Sequence, residues 1–341
     1  MSIDWLPLRD VIEQNDRFLV TTHVRPDGDA LGSEVGMVGL LRQLGKDVRV
    51  VNGSVTPARY DFLDPSGVLF EHHAAVADLD SLREGRALVI VDLSSWTQLG
   101  DMAEFVRRFP GPRVVIDHHL GNDDLGAVLF KDQTAEAAGI LVMEAVAAVG
   151  GVLDPWIATG LLTAIAMDTG WFRHPSTRPR TLRAAAQLME AGAAISDIYR
   201  QIHERNTLGR MKLIGETLSR LTTTLSGRIA YATVTRDDLA RAGAVPSDSE
   251  DLVDYTTSVR GVELGMLFIE QPRGGVRVSM RARTGLDCSL LARSFGGGGH
   301  HAAAAASLPG TMEETVEMVL QAARTALEQH APREISAKAP R

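Results

Sequence analysis

The run Val114-Val115-Ile116 passes without a turn residue into Asp117-His118-His119. Its residues are all β-branched, and Pro112 and Gly121 bound it, so it reads as a short central strand of an α/β sheet. Such sheets bind ligands at the carboxyl ends of their strands. Two imidazoles beside a carboxylate at that edge are metal-binding and proton-transferring groups. Taken alone, a His-His pair is as well explained by solvated loop residues. Whether other apolar segments end in the same way decides between the two.

Three do. Phe18 to Thr22 is a strand candidate that opens onto His23-Val24-Arg25-Pro26-Asp27-Gly28-Asp29. Ala87-Leu88-Val89-Ile90-Val91, the most strand-like run of the chain, ends directly in Asp92. Two Ala- and Leu-rich helical stretches, about 135 to 149 and 155 to 167, follow the Asp-His-His, and the second runs into Asp168-Thr169-Gly170. Around them, a lead-in helix spans 8 to 16. Leu31, Val35, Val38, Leu41 and Leu44 recur at helical spacing until Gly45, Val48 to Val51 form the next strand, and a helix covers about 98 to 109. This is the repeating unit of a parallel sheet.

Each acid has an ordinary explanation. Asp27 and Asp29 suit an Asp-Gly turn that caps the helix starting near Ala30. Asp92, at the end of the most buried strand, is costly if unpaired. Asp168, at a helix C-terminus, is electrostatically misplaced. Together they form a carboxylate and imidazole set without thiolate, which suits manganese or magnesium better than a thiol-rich zinc site. The ligands suffice for two ions sharing one carboxylate. Such a pair generates hydroxide at neutral pH and clamps the attacking and leaving oxygens of an in-line phosphoryl displacement.

From about 178 to 225 the pattern is helical, and a second domain follows. It comprises a strand over 229 to 235, helices near 236 to 242 and 248 to 257, strands over 262 to 270 and 275 to 282, a helix over 288 to 294, and a final helix over 312 to 329. Ala302 to Ala306 has helical propensity but also suits a buried strand. Phe295-Gly296-Gly297-Gly298-Gly299-His300 lets backbone N–H groups approach phosphate, or is simply a flexible loop. Ser279, Arg281 and Arg283 alternate onto one face of the preceding strand and offer guanidinium groups to an anion. His72-His73 reads as surface, Trp171 and Phe172 as core.

Composition limits the partners. A net charge of -8 disfavours a cationic track for long duplex nucleic acid, while a small anion held by local cations or metals is allowed. Cys288 is the only cysteine, so neither an intrachain disulfide nor a cysteine zinc site is available, which fits a cytoplasmic setting. Neither a signal peptide nor an apolar stretch long enough to cross a membrane is apparent.

As a set, His23-x-x-x-Asp27-x-Asp29, Val91-Asp92, Asp117-His118-His119, Asp168-Thr169-Gly170 and Gly296-Gly297-Gly298-Gly299-His300 resemble the DHH/DHHA1 phosphoesterases, over about residues 15 to 330. The phrase Pro26-Asp27-Gly28-Asp29-Ala30-Leu31-Gly32-Ser33 is most similar to the branch of bifunctional oligoribonucleases and 3'-phosphoadenosine 5'-phosphate phosphatases. The resemblance implies an N-terminal parallel-sheet domain over 1–190 with helices on both faces and a helical linker over 191–226. It further implies a smaller α/β domain with a mixed sheet over 227–330, before a disordered tail over 331–341. It implies two manganese ions, with magnesium as the substitute. His23 and Asp27 hold one, Asp29, His118 and Asp168 the other, and Asp92 bridges. His119 would meet the scissile phosphate or assist the leaving group, with Asp117 orienting the imidazoles. Ser279, Arg281, Gly298, Gly299 and His300 would bind substrate. One departure is Ala305, where the family usually has glycine; its methyl narrows the nucleotide site.

The expected activity is manganese-dependent hydrolysis of phosphodiester or phosphomonoester bonds in very short oligoribonucleotides and 3'-phosphoadenosine 5'-phosphate. A phosphodiesterase for cyclic or linear dinucleotides and a non-catalytic nucleotide-binding protein stay open, as does a homodimer.

Overall fold

A computed structural model of the chain describes residues 3–121, 123–283, 285–299 and 301–329. His300 and the tail over 331–341 lie outside the described residues. The chain divides into two compact units, one through residue 205 and one from residue 206.

The first unit carries strands β1 (Arg17–Thr21), β2 (Asp47–Asn52), β3 (Phe70–His72), β4 (Ala87–Val91), β5 (Arg113–Asp117) and β6 (Val128–Lys131). They lie in the order β3-β2-β1-β4-β5-β6, and every neighbouring pair is parallel. Its helices are α1 (Leu6–Gln14), α2 (Gly28–Gln43), α3 (Met102–Arg107), α4 (Ala138–Val149), α5 (Pro155–Asp168), α6 (Pro179–Glu190) and α7 (Ile195–His203). Residues alternate across the strands. Phe18, Val20, Val89, Val91, Val114 and Ile116 pack on α1, α2, α4 and α5, while Leu19, Leu88, Ile90 and Val115 face α3 and the 3-10 turn over 96–99. Burial on both faces accounts for the continuous apolar runs. The strand order reverses direction between β1 and β4, which makes their carboxyl ends the switch point where doubly wound sheets place ligands.

Helices α2 and α5 run antiparallel in close contact, through small residues. A Cβ at Gly32 would lie 2.2 Å from the Gly160 carbonyl oxygen and 2.9 Å from Ala164 Cβ, and one at Gly28 would lie 2.4 Å from Met167 Cγ. This approach brings Asp168, the last residue of α5, to the start of α2. Gly32→Ala forces the helices apart, and overpacking of this kind costs about 1–3 kcal/mol. The expected result is a lower melting temperature, read by calorimetry of the metal-free protein; an unchanged melt would mean that the interface yields without cost.

The second unit has β7 (Thr222–Thr224), β8 (Ile229–Val234), β9 (Leu264–Glu270), β10 (Val276–Ala282), β11 (Gly298–Gly299) and β12 (Ala303–Leu308), ordered β11-β12-β10-β9-β8-β7. Only β8 and β9 pair in parallel, so the sheet is mixed. Helices α11 (Cys288–Arg293) and α12 (Met312–Gln329) cover one face, and α8 (Leu208–Ser219), α9 (Arg236–Ala242) and α10 (Val253–Thr257) the other. The alanine run forms strand β12. Pairing with β10 and β11 overrides its helical propensity, and Ala304 and Ala306 face the core.

Candidate metal centre

The site lies at the carboxyl ends of β1, β4 and β5 and the C-terminus of α5. Asp27 is the N-cap of α2, its Oδ1 accepting from the N–H groups of Asp29 (2.9 Å) and Ala30 (3.2 Å). Capping and a place at the site are therefore both true of Asp27, since the same oxygen is 4.0 Å from His23 Nε2. Asp92, directly after β4, and Arg25, in the loop after β1, are both in the left-handed conformation, at φ 61° and 56°. Backbone strain in non-glycine residues concentrates where a fixed side-chain position is needed.

Three overlapping groups of three emerge among the described residues, His23 with Asp27 and Asp92, Asp29 with His118 and Asp168, and Asp92 with His118 and His119; within each, the potential ligand atoms lie within 4.8 Å of one another. Asp92 joins the groups. Its Oδ2 is 3.4 Å from His23 Nε2, and its Oδ1 is 3.5 Å from His118 Nε2. His118 Nε2 also lies 3.4 Å from Asp29 Oδ2 and 3.7 Å from Asp168 Oδ2. These separations are long for hydrogen bonds. They approach the spacing of adjacent ligands of one ion, since donors about 2.1 Å from a divalent cation stand about 3.0–3.4 Å apart. Asp92 Oδ1 is buried and has no hydrogen-bond partner among the described residues, which fits an atom placed to ligate an ion.

The imidazoles are oriented from behind. His23 Nδ1 lies 3.0 Å from the Val24 carbonyl and His118 Nδ1 3.2 Å from the Ala135 carbonyl. Donation of Nδ1–H to each carbonyl leaves Nε2 as the free lone pair. Asp29 is held likewise, accepting from the first N–H groups of α4, Ala138 at 2.7 Å and Gly139 at 2.9 Å. His119 differs. Its Nδ1 is 2.8 Å from Asp117 Oδ1, and its ring is a third exposed. Asp117 thus orients His119, whereas His118 is oriented by the backbone. Asp117 is fully buried, and its other oxygen accepts from Ser94 Oγ (2.6 Å) and Lys131 Nζ (2.8 Å).

Burial opposes a charged His118, yet Asp92, Asp29 and Asp168 hold its pKa up at about 10. His23 is likewise pushed down by burial but held at about 9 by Asp92 and Asp27. Burial raises Asp29, with the Asp92 charge adding to it, and raises Asp168 to about 6. Burial also acts to raise Asp92, but His118 and His23 outweigh it and hold the carboxylate below its usual range. Without metal, the folded chain therefore keeps protons that the unfolded chain, with histidine near about 6.5, releases. The stabilisation is fully present below about pH 6.5 and is lost as pH rises through the folded values of about 9 and 10. Melts of chelator-treated protein should show a falling midpoint from pH 6.5 to 9, and saturating manganese should weaken or reverse the trend, because the ions replace those protons.

The sequence reading does not reach Ser94, Lys131 or the buried Glu34. Lys131 lies on the edge strand β6, where only Phe130 is buried, and it is the register partner of Asp117. Glu34 Oε2 accepts from Asn52 Nδ2 (3.0 Å), whose Oδ1 accepts from the Thr22 N–H (3.2 Å) next to His23; burial pushes the Glu34 carboxyl to about 8. His72 and His73, expected at the surface, are half-buried, because β3 forms there as an edge strand; His73 Nε2 lies 3.9 Å from Asp101. Trp171 and Phe172 are half-buried against the core.

In the second unit, Arg281 Nε pairs with Asp254 at 3.2 Å, so its fork is already engaged on one side. Gly298 and Gly299 form a two-residue edge strand opposite Ala305 and Ala304 rather than a loose loop. Gly299 has φ 144°, and a Cβ there would lie 2.5 Å from the Ala303 carbonyl oxygen. Ala305 is paired with both Ser279 and Gly298, which places its methyl among the residues expected to meet substrate.

Comparison with known proteins adds the following. The family model described as DHH family, N-terminal domain matches residues 17–165, and that described as DHHA1 domain matches residues 226–329. The bifunctional oligoribonuclease and PAP phosphatase NrnA of Thermus thermophilus is 31% identical over 314 residues, 90% of this chain and 89% of that protein. The protein of the same name from Bacillus subtilis is 26% identical over 299 residues, 86% and 90% of the two chains. An exopolyphosphatase-related protein from Bacteroides fragilis has a similar structure, with a TM-score of 0.89 at 24% identity over 96% of each chain; at that identity the likeness is one of fold.

Proposed function

This chain belongs to the DHH family of phosphoester hydrolases and carries a DHHA1 domain, and from that premise we propose that it cleaves phosphodiester and phosphomonoester bonds in very short oligoribonucleotides and in 3'-phosphoadenosine 5'-phosphate, with two manganese ions. The observation that carries the reading is Asp92, one oxygen turned to His23 and the other to His118. The substrate class follows the activity for which the relatives that match the chain along most of its length are named.

In this reading His23, Asp27 and Asp92 hold one ion, and Asp29, His118 and Asp168 hold the other, with Asp92 shared. Magnesium would fit the same oxygen and nitrogen donors. When bound, a divalent pair supplies an acidified water and neutralises charge on the phosphoryl oxygens. His119, fixed through Nδ1 by Asp117, offers Nε2–H to the leaving oxygen; the Asp117 hydrogen bond raises its pKa and so favours the protonated ring. Lys131 and Ser94 keep Asp117 ionised and in place, so the proton stays on the imidazole. Ser279, Arg281, Gly298, Gly299 and His300 are assigned to the substrate phosphates and sugar, with Asp254 steadying Arg281.

The test is purified protein with manganese or magnesium, incubated with diribonucleotides, 3'-phosphoadenosine 5'-phosphate, cyclic dinucleotides and a long single strand, with products resolved by chromatography. Turnover of the first two is expected. Turnover of cyclic dinucleotides alone would move the assignment to a phosphodiesterase, and none at all with metal bound would overturn it.

A further inference from the structure

Two ligands of one ion group are gripped by a single short segment. Residues 135–139 offer the Ala135 carbonyl to His118 Nδ1 (3.2 Å) at one end and the Ala138 and Gly139 N–H groups to Asp29 (2.7 and 2.9 Å) at the other. Between them lies Glu136, 3% exposed. Arg180 closes on it from α6, with Nε 2.9 Å from Oε2 and 3.2 Å from Oε1. Its Nη2 donates to the Thr134 carbonyl at 3.0 Å and lies 3.8 Å from Asp132, and Arg178 Nε stands 4.0 Å from Glu136 Oε1.

Neither member is where stability alone would put it. Arg180 sits in the first turn of α6, where the helix dipole favours an acid. The Glu136 side chain is buried while that of Arg180 is 39% exposed, and a pair that takes one charge out of water is seldom worth more than apolar packing in its place. What the pair does is fix the path of the segment from Thr134 into α4, and so fix the carbonyl and the N–H groups together. The His23, Asp27 and Asp92 group has no contact with this segment among the interactions found for the described residues.

We propose that Arg180 and Glu136 are positioning residues for one ion only, holding segment 135–139 in the shape that presents His118 and Asp29 to it. The proposal rests on the two-ion reading above. Loss of a ligand's outer support weakens metal binding about ten- to a hundredfold.

Manganese titrations of the full chain, followed by calorimetry and by the paramagnetic resonance of free manganese, test it. Wild type should show two binding events. Glu136→Gln and Arg180→Ala should weaken one event about ten- to a hundredfold and leave the other within about threefold. His23→Ala should affect the opposite event, and excess manganese should restore turnover to the Glu136 and Arg180 variants. Circular dichroism in chelator reports folding; should Arg180→Ala not fold, Glu136→Gln and Arg180→Lys give the same reading. Folded variants that keep both affinities, or lose both alike, overturn the proposal. A wild type that binds no manganese overturns the two-ion reading itself, and this proposal with it.

Discussion

Asp92→Asn should lower phosphoester hydrolysis by on the order of a thousandfold, the scale of losing a principal electrostatic group at a reacting centre. The amide keeps the shape but supplies only one acceptor oxygen and no charge. A side chain whose two oxygens face His23 at 3.4 Å and His118 at 3.5 Å needs both. The manganese titration should show both binding events weakened, because the proposed function has both ions share this residue, through the oxygens that face His23 and His118. The metal-free variant should fold, since the site's charges exceed what packing requires. The change also distinguishes an enzyme from a nucleotide-binding protein. Activity in the wild type that vanishes in a folded Asp92→Asn belongs to this site, and activity that persists comes from elsewhere.

His119→Ala should lower turnover about a hundred- to ten-thousandfold, the usual range for a positioned proton donor, with both ions still bound. His119 points its Nδ1 at Asp117, so its removal leaves Asp117 with Ser94 and Lys131 and no bare buried charge. His118→Ala behaves differently. It deletes the nitrogen that Asp29, Asp92 and Asp168 surround and should cost metal occupancy first. Metal titrations that found the two variants equally depleted would erase this division of roles.

Much of the centre is legible in the chain because its parts sit where apolar runs stop. Burial selects β-branched residues along β4 and β5, so the first charged residue after each marks the strand end and hence the ligand edge. What supports those residues is hidden for physical reasons. Lys131 reaches Asp117 through parallel register between strands, and a half-exposed edge strand leaves little periodicity to read. The Ala135 carbonyl and the Ala138 and Gly139 amides act through backbone, which no residue type announces. The glycine run misleads in another way. Glycine permits both a phosphate nest and close strand packing, and here Gly299 lies where a Cβ would meet β12, while Gly298 is paired with β12 but has open space beside it.

The reversal in strand order has a consequence for how the protein acquires its chemistry. Thr21 pairs with Ile90 across a long stretch of intervening chain, so the edge that carries His23 and Asp92 is closed by contacts distant in sequence. Pairings of that kind form late, after their loop-closure entropy has been overcome. On the proposed two-ion function, a nascent or partly folded chain would hold the ligands as separate, weak binders, and tight manganese uptake would be a clock for the last step of folding rather than for the first.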